Sequence, residues 1–154
     1  MLDAKDIEEV KQNGFAISAP TYTKDGELVV LLYVGAEIRG NIIIAAIDGN
    51  FYSNIINGLT IGKTGNILFT DENGTIIGNV DEELVKQKTN FITLSETDNS
   101  AKSMGTFFSK MISGESGIGE YKFKGSNRIC YYTPVTDNNG LFVGVVAPVN
   151  EMIS

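Results

Sequence analysis

Tyr121, Phe123, Tyr131 and Tyr132 fall on two neighbouring apolar-alternating segments, close to an amphipathic stretch that carries Phe107 and Phe108. Tyrosine brings a hydroxyl that a purely structural core does not need, so such a cluster suits the wall of a small-ligand pocket. The same rings also suit the plain filling between a sheet and a helix. Both readings stand on sequence alone. Arg128 and Asp71 flank the cluster, and Tyr121, Arg128, Tyr132 and Asp71 are the residues expected around a pocket of this kind. Arg128 begins a strand just after a turn, where an exposed charge is the ordinary outcome.

Other chemistry-bearing patterns resolve into turns. The Gly62-Lys63-Thr64-Gly65 segment lacks the upstream Gly and the Lys-Ser/Thr pair of a phosphate loop. Asp71-Glu72-Asn73-Gly74 opens like a calcium loop, but the later oxygen ligands and the closing Glu are missing. Asp81-Glu82-Glu83 could pair carboxylates for acid–base work, yet acids gather at a helix start for the dipole alone. The sequence contains no histidine, which excludes Ser-His-Asp, Cys-His and histidine-ligated metal sites. Cys130 is the one cysteine, so it forms no intramolecular disulfide and reads as a small buried strand residue. No cofactor and no catalysis are expected.

The balance of residues narrows the partners. The 154-residue chain is 42% apolar and 20% charged, enough for one good core or a domain and part of another. Its net charge of −7 opposes contact with nucleic acid phosphates or an anionic membrane surface. No apolar run reaches the ~18 residues of a membrane span. The opening MLDAKDIEEVKQNG is acidic where a signal peptide would be basic, then apolar. A chain of this kind reads as soluble as written, and equally as an excised ectodomain.

The elements that position the candidates follow from periodicity and turn chemistry. Asp3 to Asn13 predicts a short helix capped by Asp3, with Gly14 ending it. A strand from Phe15 to Thr23 is broken by Pro20, which limits it to an edge or a strand end. Glu27 to Ala36 and Asn41 to Ile47 are continuous apolar runs joined at Arg39-Gly40, a pattern expected of central strands covered on both faces. A helix over Phe51–Asn57 follows, with Phe51, Ile55 and Ile56 inward. Asn66–Thr70 and Thr75–Gly78 form a hairpin around Asn73-Gly74, which tolerate positive φ. Asp81 to Lys88 predicts one or two helical turns capped by Asp81, and Thr89 to Asn99 predicts a polar loop. Ser100 to Ser113 is the best amphipathic helix, with Ala101, Met104, Phe107, Phe108, Met111 and Ile112 at spacings of three and four. Strands over Gly119–Lys124, Arg128–Val135 and Leu141–Ala147 complete a meander, with turns at Gly125-Ser126-Asn127 and Asn138-Asn139-Gly140. Val149 to Ser154 has no core of its own.

The fold class is α+β. The block over residues 61–148 reads as a complete unit of five strands with helices inserted after the second, whereas the block ending near residue 58 reads as the closing half of one.

IGKTGNILFTDENGTIIGNVDEEL (Ile61 to Leu84) and ISGESGIGEYKFKGSNRICYYTPVTDNNGLFVGVVAPVNEM (Ile112 to Met152) resemble the membrane-proximal half of a double Cache domain. That family forms the extracytoplasmic sensor of methyl-accepting chemotaxis receptors and related sensor kinases. The carrying motifs are Gly62 to Gly65, Asp71 to Thr75, Gly114 to Gly117, Tyr121 to Tyr132, Tyr132 to Val135 and Gly144 to Pro148. Ile17 to Phe51 is similar to the end of the membrane-distal module. The resemblance implies a PAS-like Cache module with a central antiparallel sheet of about five strands and flanking helices over 59–154, preceded by the C-terminal part of a distal module over 1–58. It also implies a transmembrane chemoreceptor, anchored in the cell membrane and homodimeric at full length, that senses a small molecule of the amino acid or carboxylate class. The alternative it leaves is a non-binding structural spacer in a sensor histidine kinase or another transmembrane signalling protein. Of the family's distal amino-acid site only Asp48 carries over, since Thr21 and Thr23 stand where the pattern has Tyr and Asp. In the proximal module, Asn79-Val80 replaces a His-Pro and Leu141 replaces a Trp.

Overall fold

The computed structural model describes residues 4–35, 41–59, 61–135 and 140–152. The chain divides into two compact units, Met1–Phe51 and Tyr52–Ser154. Asp3, the Arg39-Gly40 connection and Asn138-Asn139 lie outside the described residues.

In the first unit, helix α1 (Ala4–Asn13) buries Val10 and ends at Gly14, whose φ is +82°. Strands β1 (Phe15–Ile17) and β2 (Thr21–Tyr22) lie along one edge of β3 (Leu28–Gly35), and β4 (Ile42–Asp48) lies along the other, all antiparallel. β1 and β2 are one edge strand interrupted before Pro20, as the missing proline N–H requires. Ser18 bridges the break: its N–H donates to the Leu31 carbonyl at 2.8 Å, and its Oγ accepts from the Leu31 N–H at 2.9 Å. Val10, Ala16 and Tyr33 form the core, with Leu31 and Ile42 against it. The apolar run of β4 does not make a covered strand. It is the outer strand of its sheet, with Ile43 60% and Ile44 53% exposed.

Helix α2 (Phe51–Asn57) buries Tyr52, Ser53 and Ile56, leaving Phe51 and Ile55 exposed, so its inward face is turned from the expected one. The second unit is built on a five-stranded antiparallel sheet in the order β6-β5-β9-β8-β7, comprising β5 (Asn66–Thr70), β6 (Ile76–Gly78), β7 (Gly117–Phe123), β8 (Ser126–Pro134) and β9 (Phe142–Pro148). Phe69 pairs with Gly78 and Thr70 with Ile76, so one residue bulges between them. The bulge lets Ile76 join the main core while Gly78 faces Tyr52 and Ile56 of α2, where a Cβ would stand 2.9 Å from the Tyr52 Cβ.

Between β6 and β7 come α3 (Glu82–Lys86), α4 (Phe91–Thr97), a 3-10 turn (Asn99–Ala101) and α5 (Lys102–Met111). The expected amphipathic helix is α5 with its preceding turn. Ala101, Met104, Phe107, Phe108 and Met111 pack in one core with Leu68, Ile76, Phe91, Tyr121, Cys130, Tyr132, Phe142 and Val146.

Three local expectations fail for physical reasons. Residues 91–97 are helical rather than a loop, because the Asn90 side chain accepts from the N–H groups of Ile92 and Thr93 and Phe91 enters the core. Asp81 makes no side-chain cap on α3, since its carboxylate pairs with Lys124 at 3.0 Å. The β7–β8 turn is the two-residue Lys124-Gly125, both at positive φ, and Ser126-Asn127 already belong to β8. Val149–Met152 closes the described chain as a short helix, α6.

Candidate functional site

The tight Lys124-Gly125 turn fixes the register of β7 and β8 and sets Tyr121 directly opposite Arg128. Directly opposed residues in an antiparallel pair project on the same face, so ring and guanidinium are neighbours. Both line a cleft of about 250 Å³ in the second unit. Its apolar wall includes Leu68 of β5, Ile76 of β6, Leu84 of α3, Phe91 of α4, Phe108 of α5 and Val146 of β9. Asn66, Asn79, Asp81 and Lys124 complete the polar side.

Tyr121 is only 9% exposed. Burial raises its phenol well above the usual range, with Cys130 adding to the effect and the Arg128 guanidinium opposing it. The phenol is therefore a donor at every physiological pH. Phe107 lies against it at 4.7 Å between ring centroids, which holds the ring in place. Arg128 is half-buried, and its Nε is fully buried with no hydrogen-bond partner among the described residues. Asn79 is buried and its Oδ1 accepts from the Asp81 N–H at 2.9 Å, which directs Nδ2 to act as the donor.

The other expected site residues stand elsewhere. Asp71 is buried in the β5–β6 turn, where its Oδ1 accepts from the N–H groups of Asn73 at 2.9 Å and Thr75 at 2.8 Å. Its carboxylate builds the turn and does not line the cleft. Tyr132 is a core residue, edge-on to Phe107 with centroids 5.6 Å apart. A Cβ on Gly117, its cross-strand partner, would stand 2.6 Å from the Tyr132 hydroxyl, so glycine is needed there for the ring to lie across β7. Asp48 is exposed in the first unit, where its Oδ1 accepts from the Asn50 N–H at 2.9 Å. Asn66, Asn79, Asp81 and Lys124 were not foreseen as cleft residues. The only local signal was polar residues around a helix start and a turn, which reads first as capping.

The Gly62–Gly65 segment is a turn before β5 that holds Glu151: the N–H groups of Lys63 and Thr64 donate to its Oε2, and the Thr64 hydroxyl to its Oε1. Among the described residues no group of three or more Cys, Asp or Glu side chains is placed to hold a metal ion.

The sequence profile of the Cache domain matches residues 4–154. The chain belongs to the Cache family. Solved Cache-like structures share its fold at low identity. They include the extracellular domain of mmHK1S-Z2, assigned as a histidine kinase, with a TM-score of 0.64 and 19% identity over 96% of this chain and 56% of that one. The ligand-binding domain of the Pseudomonas aeruginosa PAO1 amino acid chemoreceptor PctB, solved with L-Gln, gives 0.58 and 16% over 96% and 57%. The corresponding domain of the Pseudomonas fluorescens chemoreceptor CtaA, solved with L-isoleucine, gives 0.61 and 13% over 97% and 60%. This Cache chain thus spans little more than half the length of those structures. No curated protein matches it. No helix among the described residues is long and apolar enough to cross a membrane.

Proposed function

We propose that this Cache chain is the extracytoplasmic sensory region of a transmembrane receptor of the chemotaxis type. It reports a small molecule through conformation rather than catalysis. Residues 1–58 then correspond to the closing part of a membrane-distal module and residues 59–154 to a complete membrane-proximal module. The observation that carries this reading is the family match over residues 4–154. The kinship of fold with chemoreceptor domains solved with amino acids supports a small-molecule ligand. A ligand drives such a signal only by binding one of two states more tightly.

Location is tested in intact cells that express the full-length receptor. Lys102 is exposed on α5, and Cys130, the native cysteine, is buried. A Lys102→Cys receptor is expected to label with a membrane-impermeant maleimide from outside the cell. Labelling only after lysis overturns the proposal.

A second reading, a non-binding spacer in a sensor kinase, draws support from Asp71 and Tyr132, whose side chains are committed to a turn and to the core. Thermal-shift screening against amino acids, carboxylates and purines separates the two, because a ligand selective for the native state raises the midpoint.

A further inference from the structure

We propose that Asn73, at the tip of the β5–β6 hairpin, is the acceptor of an N-linked glycan. This inference rests on the extracytoplasmic reading, because an Asn-x-Ser/Thr acceptor is used on chain that has crossed a membrane. Asn73-Gly74-Thr75 is the one stretch of the sequence in which an asparagine has Ser or Thr two residues on with no proline between. So short a motif recurs by chance, and what sets this one apart is its place in the fold.

The hairpin uses the backbone of Asn73 and leaves its side chain to solvent. The Asn73 N–H donates to Asp71 Oδ1 at 2.9 Å, and its carbonyl accepts from Asn90 Nδ2 at 2.8 Å. The residue is exposed, and its side-chain amide makes no hydrogen bond among the described residues. A sugar on Nδ2 therefore replaces one amide hydrogen and breaks neither bond. Asn73 also stands off the wall of the cleft, so a glycan there leaves the cleft open. Exposed turn tips of this kind are where bulky, hydrated groups are carried.

Thr75 dates the modification. In the closed hairpin its N–H donates to Asp71 Oδ1 at 2.8 Å and its carbonyl accepts from the Asp71 N–H at 3.0 Å. Its hydroxyl lies 3.4 Å from Asn90 Nδ2. An enzyme that reads Asn73 and Thr75 together needs this segment open, so transfer precedes closure of the hairpin. The step is a substitution without redox change. Asn73 Nδ2 bonds to the anomeric carbon of a lipid-pyrophosphate oligosaccharide, and the bond from that carbon to the pyrophosphate oxygen breaks. The lipid pyrophosphate leaves with the electron pair, and Nδ2 gives up one proton. On the folded receptor the glycan keeps the hairpin tip in water and bars protein packing there.

The test is mass spectrometry of the full-length receptor purified from the cells that make it naturally. Trypsin releases Thr64–Lys86, which holds Asn66, Asn73 and Asn79. That peptide is expected at its sequence mass plus that of an oligosaccharide, with fragment ions placing the sugar on Asn73. Asn73→Gln and Thr75→Ala receptors should lose the added mass. Thr75→Ser, which keeps the hydroxyl, should retain it. Thr75→Ala leaves the acceptor amide in place, so it tests the motif even where Asn73→Gln disturbs the turn. A bare peptide overturns the acceptor, as does aspartate at position 73 without sugar, or sugar retained by Asn73→Gln or Thr75→Ala. External labelling of the Lys102→Cys receptor with a bare peptide sinks the acceptor and leaves the sensory reading. A glycopeptide from a receptor labelled only after lysis does the reverse.

Discussion

The Thr64 hydroxyl donates to the carboxylate of Glu151, 87 residues later in the chain, and so ties the turn before β5 to helix α6. Glu151 is held below the ordinary carboxylate range, chiefly by that hydroxyl and further by the N–H groups of Lys63 and Thr64 and the Lys63 charge. A folded-state value below the unfolded one adds stability that is fully present above the unfolded value, about 4.3 for Glu, and is lost as pH falls through the folded value. Glu151→Gln is therefore expected to lower the unfolding midpoint slightly at neutral pH and to match the parent in strong acid. Thermal scans across that range check it. A difference that grows toward acid would contradict the assignment.

Asn90 links α4 to the β5–β6 turn. Its Oδ1 accepts from Ile92 and Thr93, and its Nδ2 donates to the Asn73 carbonyl at 2.8 Å. Asn90→Ala is expected to cost about 1–2 kcal/mol in urea unfolding, the scale of a lost cap. Asn90→Asp, which keeps the acceptor and loses the donor, should fall between.

Gly105 marks the crossing of α4 and α5. A Cβ there would lie 2.2 Å from the Ser95 Oγ, 2.4 Å from its Cβ and 3.0 Å from the Phe91 carbonyl oxygen. Gly to Ala within a helix ordinarily gains about 1 kcal/mol. Here overpacking outweighs the gain, and Gly105→Ala should destabilise by about 1–3 kcal/mol. Adding Ser95→Gly should recover part of the loss, which a double-mutant cycle would measure.

Burial pushes the Cys130 thiol up to about 12. At pH 8 the native protein is expected to resist iodoacetamide, and urea-unfolded protein to react readily, because only the thiolate is nucleophilic. Rapid alkylation of folded protein would show that the β8–β9 region opens without unfolding.

Much of the second unit was legible in its sequence. Turn residues and period-two alternation place the hairpins, and three-four spacing of Phe and Met places α5, because those patterns arise from neighbours close along the chain. The Tyr121–Arg128 pairing was not among them: a turn at Gly125-Ser126-Asn127 would set Lys124 opposite Arg128, and the two-residue Lys124-Gly125 turn fixes the register instead. Helix α4 was not legible. Its polar residues carry little intrinsic helical signal, and its start depends on Asn90 reaching back to the Asn73 carbonyl and on Phe91 finding the core. Nor did the isoleucines of β4 tell their fate: an apolar run marks a strand, while cover depends on which elements pack over it.

The sequence by itself determined the strands, most of the turns and the absence of histidine chemistry, all properties of residue type and short-range spacing. Tertiary structure decided which polar groups share a cleft. Antiparallel pairing of β5 with β9 and of β9 with β8 brings Asn66 and Leu68 to one cleft with Val146 and Arg128. Asp71 and Tyr132, equally eligible by residue type, were drawn instead into a turn and the core. Long-range pairing carries no local signature, and a side chain's role follows from whichever hydrogen-bond partners or packing partners reach it first in space.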